Sequence, residues 1–244
     1  MKPHPDLNPY YKEEKEKQQF LRKVFDSAAP HYDGIATWGW FNSGHWYRKD
    51  VFKRNGLKSD MKVLDVASGT GLTAKAISEM LDSPNNLTCL EPSRGMIKES
   101  VKKLSNAHVQ GSADKIGISS DTFDFLTMGF ALRHVEDLLG AFKEYCRVLK
   151  PGGKVLIMDV TLPESALPRF LFKLYFKNIL PFLTKVFTRS RDAEYMMDYY
   201  YETMEKMVDP ENVKDMLRQA GFEDVKRNTP LGIFSEYSAV KPAK

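Results

Sequence analysis

Only two cysteines, Cys89 and Cys146, occur in the 244 residues. They lie far apart, each inside an apolar run, so no disulfide framework is expected. Both read as small buried hydrophobes of a reducing compartment. No apolar run reaches the ~18 uninterrupted residues of a membrane span. Residues 1–19 mix Lys and Glu with proline and lack an apolar core, which argues against a secretory leader and for a cytosolic protein. One-sided charge is missing as well. The chain has 36 Lys and Arg against 32 Asp and Glu, a formal net charge of +4, too mild to point to nucleic acid. There is no internal repeat or low-complexity segment, and no metal site is expected. With 42% hydrophobic residues, the chain suffices for one large domain or one domain with a cap.

Phosphate-binding patterns are absent too. No G-x-x-x-x-G-K-[ST] occurs, and Gly69-Thr70-Gly71 continues into Leu72-Thr73-Ala74, without the third glycine of a dinucleotide fingerprint. What the chain does carry is Val63-Leu64-Asp65-Val66-Ala67-Ser68-Gly69-Thr70-Gly71, followed by an apolar run from Leu87 to Leu90 that ends in Glu91. In a parallel α/β sheet the small-residue turn lets backbone approach a ligand. The acid at the next strand tip then accepts hydrogen bonds from both ribose hydroxyls. Asp65, inside an otherwise apolar strand, places a carboxylate near a cationic or amine-bearing group. Adenosine, an amino-acid end and no phosphate together describe S-adenosylmethionine.

Along the chain, residues 1–11 read as loosely ordered. A helix is expected over 12–29, ending before Pro30, and an aromatic, glycine-containing segment follows from His31 to Tyr47. Strands and helices then alternate: strands at 62–67, 86–91, 107–110, 123–129 and 154–160, with helices at 71–82, 93–104 and 136–149. Lys150-Pro151-Gly152-Gly153 stops the last of these helices. A helix at 210–220 ends at Gly221, and two strands, 222–227 and 232–240, are expected as an antiparallel edge hairpin. This alternation indicates a parallel sheet with helices on both faces.

Residues 165–191 are not needed by a minimal α/β domain. They hold Arg169, Lys173, Lys177, Lys185, Arg189 and Arg191 and no acid, interleaved with Leu, Ile, Val and Phe. Arg169, Lys173 and Lys177 recur every fourth residue and form one basic stripe on a helix, which Pro181 is expected to interrupt. The segment is either a lid with a solvated basic edge or an interfacial element. In the second case its apolar face enters a bilayer, while each basic residue near anionic headgroups contributes about 1 kcal/mol.

Several stretches together resemble the ubiquinone/menaquinone-biosynthesis C-methyltransferases, within the class I S-adenosylmethionine-dependent methyltransferases. They are Val24-Phe25-Asp26-Ser27-Ala28-Ala29-Pro30-His31-Tyr32-Asp33, the turn at 63–71, Phe130-Ala131-Leu132-Arg133-His134-Val135, Arg147-Val148-Leu149-Lys150-Pro151-Gly152-Gly153 and Ala220-Gly221-Phe222. The resemblance implies a Rossmann-like, seven-stranded α/β sheet, mostly parallel with an antiparallel C-terminal strand. It divides the chain into an N-terminal helical and aromatic segment (1–50) forming part of the acceptor cavity, a cofactor core (51–162), an inserted lid or membrane-facing segment (163–207) and a C-terminal completion of the core (208–244). It implies cofactor contacts at Asp65, Ser68, Gly69, Thr70, Gly71, Glu91 and Gly129, with Ser112, Ala113 and Asp114 bordering the adenine. Met96 stands either against that ring or as an anchor of its helix. The implied partner is a lipid-soluble small-molecule acceptor, with peripheral membrane contact and a homodimer left open. The chain departs from the family pattern in having His134 where the family usually has Asn, and Lys115-Ile116-Gly117-Ile118 in place of Leu-Pro-Phe. Both departures leave the acceptor open: a quinol precursor, or else a phospholipid amine or small phenol methylated on N or O.

Methyl transfer from a sulfonium is an in-line displacement, so the protein mainly aligns the reactants and excludes water. Methylating a phenolic ring carbon also requires a cation for the phenolate and a base for the departing proton. Arg133, past the fourth strand, is either that cation or a salt bridge in a capping turn. His134, whose imidazole ordinarily titrates near neutrality, is either the base or a surface residue. Tyr32 and His45 match family positions near the acceptor. Tyr195, Tyr199 and Tyr200 either line the same cavity or serve as packing.

Overall fold

Seven strands form one sheet: β1 (Val63–Val66), β2 (Leu87–Glu91), β3 (Ala107–Gln110), β4 (Phe123–Gly129), β5 (Leu149–Val160), β6 (Glu223–Asn228) and β7 (Phe234–Val240). They belong to a computed structural model that describes residues 2, 3, 14–39 and 43–243. The order is β3-β2-β1-β4-β5-β7-β6, with β7 antiparallel to both of its neighbours and the other pairs parallel. The strand order reverses between β1 and β4, and the crevice at the carboxyl ends there is where such sheets bind ligands.

Helices α1 (Glu14–Gly39) and α2 (Gly44–Arg54) precede the sheet, while α3 (Leu72–Ser78), α4 (Arg94–Ser100) and α5 (Leu138–Val148) alternate with its strands. Then come α6 (Ala166–Lys173), α7 (Leu180–Thr188), α8 (Arg191–Glu205) and α9 (Pro210–Gln219). All four residues of β1 are buried, as befits a central strand covered on both faces. Leu64 and Val66 face a core built with Leu138, Phe142, Tyr145 and Val148 of α5 and with Val213 and Leu217 of α9. Their spacing of three and four residues marks one face of each helix. Val63 faces a second core with Val51 and Phe52 of α2 and Ala74 and Ile77 of α3. Side chains alternate along a strand, so Asp65 is turned toward α2 and α3. A third cluster joins Val24, Ala28 and Ile35 of α1 to Phe172, Phe176 and Leu180 and to Met196, Met197 and Tyr201 of α8.

Three sequence expectations change. Helix α1 does not end before Pro30 but runs through it. Packing on α8 and α4 outweighs the one backbone hydrogen bond that proline removes. Strand β5 starts at Leu149 rather than at 154. Leu149 pairs with Phe123, and Gly152 and Gly153 exchange backbone hydrogen bonds with Lys241. Pro181 does not interrupt its helix, because residues Leu174–Ile179 form a π-helical stretch that leads into α7 with Pro181 in its first turn, where its missing N–H is tolerated.

The basic stripe lies on the exposed surface, with the Lys173 and Lys185 side chains 51% and 57% exposed, and it borders α8. Lys173 pairs with Glu205 at 3.5 Å, Lys177 lies over the Tyr201 ring at 5.8 Å, and Lys185 pairs with Glu194 at 3.0 Å, all on α8. The Arg191 side chain, most of the stretch at 1–11, the first residues of the expected helix at 12–29 and the aromatic residues Trp40 and Phe41 lie outside the described residues. Cys89 and Cys146 are both free thiols.

Candidate active site

Two backbone kinks mark the crevice. Ala67, just past β1, has φ 53°, and Phe130, just past β4, has φ 63°. Non-glycine residues rarely hold this conformation, and it concentrates at functional sites. Between and beside these strand tips lies a cavity of about 380 Å³, within the range that takes a nucleoside-sized ligand. Gly69, Glu91, Met96, Ser112, Ala113, Asp114, Gly129, Tyr32 and His134 line it.

Glu91 sits at its floor. Its carboxylate accepts hydrogen bonds from the Gly69 and Ser93 backbone amides, both at 2.8 Å, and burial pushes it up to about 7 against those bonds. Asp65 is wholly buried, and neither of its oxygens is matched by a side-chain donor. Burial pushes it up to about 8, opposed by the Arg48 cation. An unmatched buried acid behind the glycine turn fits a ligand ammonium.

The two glycines of the turn do different work. Gly69 (φ 56°) has open space where a Cβ would stand. A Cβ on Gly71 (φ 87°) would come within 2.6 Å of Ser100 Oγ and 2.7 Å of Leu104 Cδ1. Gly71 is therefore occupied by helix packing and does not line the cavity. Ser68 and Thr70 are buried beside it, and the Thr70 hydroxyl donates to Asp33 of α1. Met96 is 2% exposed, held in the first turn of α4 by the Ser93 cap and also on the cavity wall, so its two expected roles coincide.

Helix α1 roofs the cavity with one face and grips its rim with another. Leu21, Phe25 and Tyr32 line the cavity. Asp26 accepts from Ser93 Oγ at 2.5 Å and from the Gly95 amide at 2.8 Å, and Asp33 accepts from Thr70 and Lys103. Asp26 and Asp33 are seven residues, or two helical turns, apart, as are Phe25 and Tyr32. Gly95 permits this approach, since a Cβ there would lie 2.7 Å from the Asp26 Cα.

At the acceptor end, Arg133 is 1% exposed and paired with Asp159. Its guanidinium carbon lies 3.8 Å from the Tyr200 ring centroid. Burial pulls the guanidinium pKa down, but Asp159 and the Tyr200 and Tyr32 phenols more than offset it, so the group stays cationic. Arg133 thus stands one layer behind the cavity wall, as half of a buried ion pair. Tyr32, pushed up to about 12 by burial against the Arg133 and Arg48 cations, is the wall residue in front. His134 packs between Tyr199, stacked at 5.7 Å, and Phe25, edge-on at 5.2 Å. Tyr195 is 40% exposed and meets Phe20 instead.

His45 is not brought to the cavity. It bonds Glu79 at the end of α3 at 3.1 Å, sharing that carboxylate with Lys49. The same helix delivers a residue that the sequence reading passed over, Arg48, whose cation lies near Asp65, Tyr32 and Tyr200.

This strand order, with acids at the tips of β1 and β2 and a glycine turn between them, defines a class I S-adenosylmethionine-dependent methyltransferase. The family model of the ubiE/COQ5 methyltransferase family matches residues 12–241, and the chain belongs to that family. It is 34% identical over 233 residues to a demethylmenaquinone methyltransferase of Anoxybacillus flavithermus, covering 93% of this chain and 97% of that one. It is 32% identical over 224 residues to the ubiquinone/menaquinone biosynthesis C-methyltransferase UbiE of Francisella philomiragia, covering 89% and 88%. In fold it is similar to an S-adenosylmethionine-dependent methyltransferase of Thermotoga maritima, with TM-score 0.62 and 20% identity over 91% of this chain and 99% of that one.

Proposed function

We propose that the protein methylates a ring carbon of a prenylated quinol precursor, as the names of its relatives indicate for them. The observation that carries this reading is the Arg133–Asp159 pair fixed behind Tyr32, with His134 on the same cavity wall. S-adenosylmethionine, when bound, supplies an electrophilic methyl group. The residues assigned to it are Asp65 for its ammonium and Glu91 for its ribose hydroxyls. Gly69 and Gly129 give close backbone approach, Ser68 and Thr70 shape the turn, and Met96 with Ser112, Ala113 and Asp114 surrounds the adenine. The acceptor hydroxyl gives its proton to solvent water, and Tyr32, polarised by the Arg133 cation behind it, donates a hydrogen bond to the resulting phenolate oxygen, whose charge makes the ring carbon nucleophilic. His134 takes the proton that the methylated carbon releases.

The inserted segment, by the same proposal, presents the protein to the membrane in which such an acceptor dissolves. Phe170, Phe182 and Phe187 are 63%, 62% and 70% exposed, while Lys173, Lys177 and Lys185 are engaged by α8. The exposed rings would enter the bilayer, while Arg169, Lys173, Lys177 and Lys185, exposed as well, would meet anionic headgroups. Among the described residues no helix is long and apolar enough to cross a membrane. Flotation with vesicles containing anionic phospholipid at low salt tests this, and failure to float refutes it.

Incubation with methyl-labelled S-adenosylmethionine and a lipid extract, followed by mass identification of the product, tests the acceptor. A labelled quinone is expected. A labelled phospholipid or soluble phenol would overturn the assignment.

A further inference from the structure

Arg48 is a cation without an acidic partner among the described residues. Arg54 pairs with Asp50 and Glu236, Arg133 with Asp159 and Arg147 with Glu144, but among the described residues no carboxylate forms an ion pair with Arg48. Its Nε donates to Thr73 Oγ1 at 3.3 Å, and its guanidinium carbon lies 5.1 Å from the Phe130 ring centroid. Thr73 is in turn wedged against the tip of β4, where a Cβ on Gly129 would fall 2.6 Å from Thr73 Oγ1. Arg48 is thereby fixed against Gly129 and Phe130, two residues of the cavity wall. Burial pulls its pKa down, while Tyr32 and Asp65 hold it up.

The nearest acid in this field, Asp65, is itself buried with no side-chain donor and forms no ion pair with Arg48. Asp65, buried, and Arg48, half-buried, stand apart behind the wall of the nucleoside-sized cavity that Ala67, Gly129 and Phe130 line, and together they are the complement of an amino-acid zwitterion. One takes an ammonium and the other a carboxylate, each charge compensating the desolvation of its partner.

We propose that Arg48 binds the carboxylate of the methyl donor's amino-acid end, opposite Asp65, so that α2 contributes to cofactor recognition. This rests on the assignment of Asp65 and Glu91 to S-adenosylmethionine. The fork of the guanidinium suits a carboxylate in a way that a lysine would not.

The test compares S-adenosylhomocysteine with methylthioadenosine, which keeps the adenosine and sulfur but lacks both the ammonium and the carboxylate, and with decarboxylated S-adenosylmethionine, which lacks only the carboxylate. Dissociation constants are measured by calorimetry on the full chain. Arg48→Met is expected to weaken S-adenosylhomocysteine about 10- to 100-fold, as loss of a charge-assisted contact does. Methylthioadenosine and decarboxylated S-adenosylmethionine should change by less than about twofold.

Equal losses for all three ligands, or no loss for any, overturns the proposal. So does a raised acceptor KM with cofactor affinity intact. If Arg48→Met does not fold, Arg48→Lys serves in its place, with a smaller loss that is again confined to the ligand bearing a carboxylate. Failure of the wild-type protein to bind S-adenosylhomocysteine would instead defeat the cofactor-site assignment as a whole.

Discussion

The two glycines of the turn after β1 are expected to fail in different ways when each is replaced by alanine. At Gly71 the new methyl meets Ser100 Oγ at 2.6 Å and Leu104 Cδ1 at 2.7 Å. Leu104 can swing aside. Ser100 is short, fully buried and bonded to His108 Nε2 at 2.9 Å, so the end of α4 must shift or that bond must break. Alanine at positive φ costs about 1–2 kcal/mol, and overpacking adds about 1–3 kcal/mol. The sum is a destabilisation of about 2–5 kcal/mol for Gly71→Ala. At Gly69 only the dihedral cost of about 1–2 kcal/mol applies, because nothing lies within 4 Å of the added methyl. That open space is the cavity, however, so Gly69→Ala should lose cofactor affinity out of proportion to stability. Urea unfolding of the cofactor-free protein measures the first effect and calorimetric titration with S-adenosylhomocysteine the second. Equal stabilities for the two variants would refute the division of labour, and so would a larger affinity loss at Gly71 than at Gly69.

Three further outcomes are expected. Asp65 and Glu91, raised by burial to about 8 and about 7, hold protons in the folded protein that the unfolded chain has already released. The stability of the cofactor-free protein should therefore fall between about pH 4 and pH 8, by at most ~1.4 kcal/mol per pH unit for each group. A ligand ammonium favours ionised Asp65, so cofactor binding should release protons near pH 7. Binding heats that do not depend on the buffer's ionisation enthalpy would refute this. Asp159→Asn strands the buried Arg133 cation and should destabilise the fold by about 3–5 kcal/mol, whereas the Arg133→Met/Asp159→Leu double variant should recover stability in urea unfolding without recovering turnover. His134→Ala should lower turnover about 10²- to 10⁴-fold with the affinity for S-adenosylhomocysteine unchanged, and unaltered turnover would remove His134 from the chemistry.

Most of the sheet was legible in the sequence, because the inner strands β1, β2 and β4 are apolar runs and the intervening helices have their own stops. β3 and β4 coincide with their expected ranges, and the edge hairpin of β6 and β7 forms as expected. What local rules misjudged were the two prolines. Pro30 and Pro181 read as breaks, yet each lies in a helix whose neighbours cover it. The site was legible where strand tips supply it and less so where helix phase does. Arg48 is three residues before Val51 and four before Phe52, both fully buried, so its inward face follows from helical spacing. His45 drew attention because it matches a family position near the acceptor, but one turn earlier α2 faces Glu79. The basic stripe was correctly placed on one face. That face is exposed, with Lys173 and Lys185 also pairing with acids of α8.

The grip of α1 on the rim of the cavity carries an evolutionary consequence. Asp26 and Asp33 fasten the helix to the turn after β1 and the start of α4, whereas Leu21, Phe25 and Tyr32, on a neighbouring stripe, line the cavity and, on the proposed reading, face the acceptor. The two stripes share a backbone but can change independently. A lineage can therefore rewrite the acceptor-facing stripe while the two acids keep the helix seated, and so take on new substrates without rebuilding the part of the molecule that holds the methyl donor.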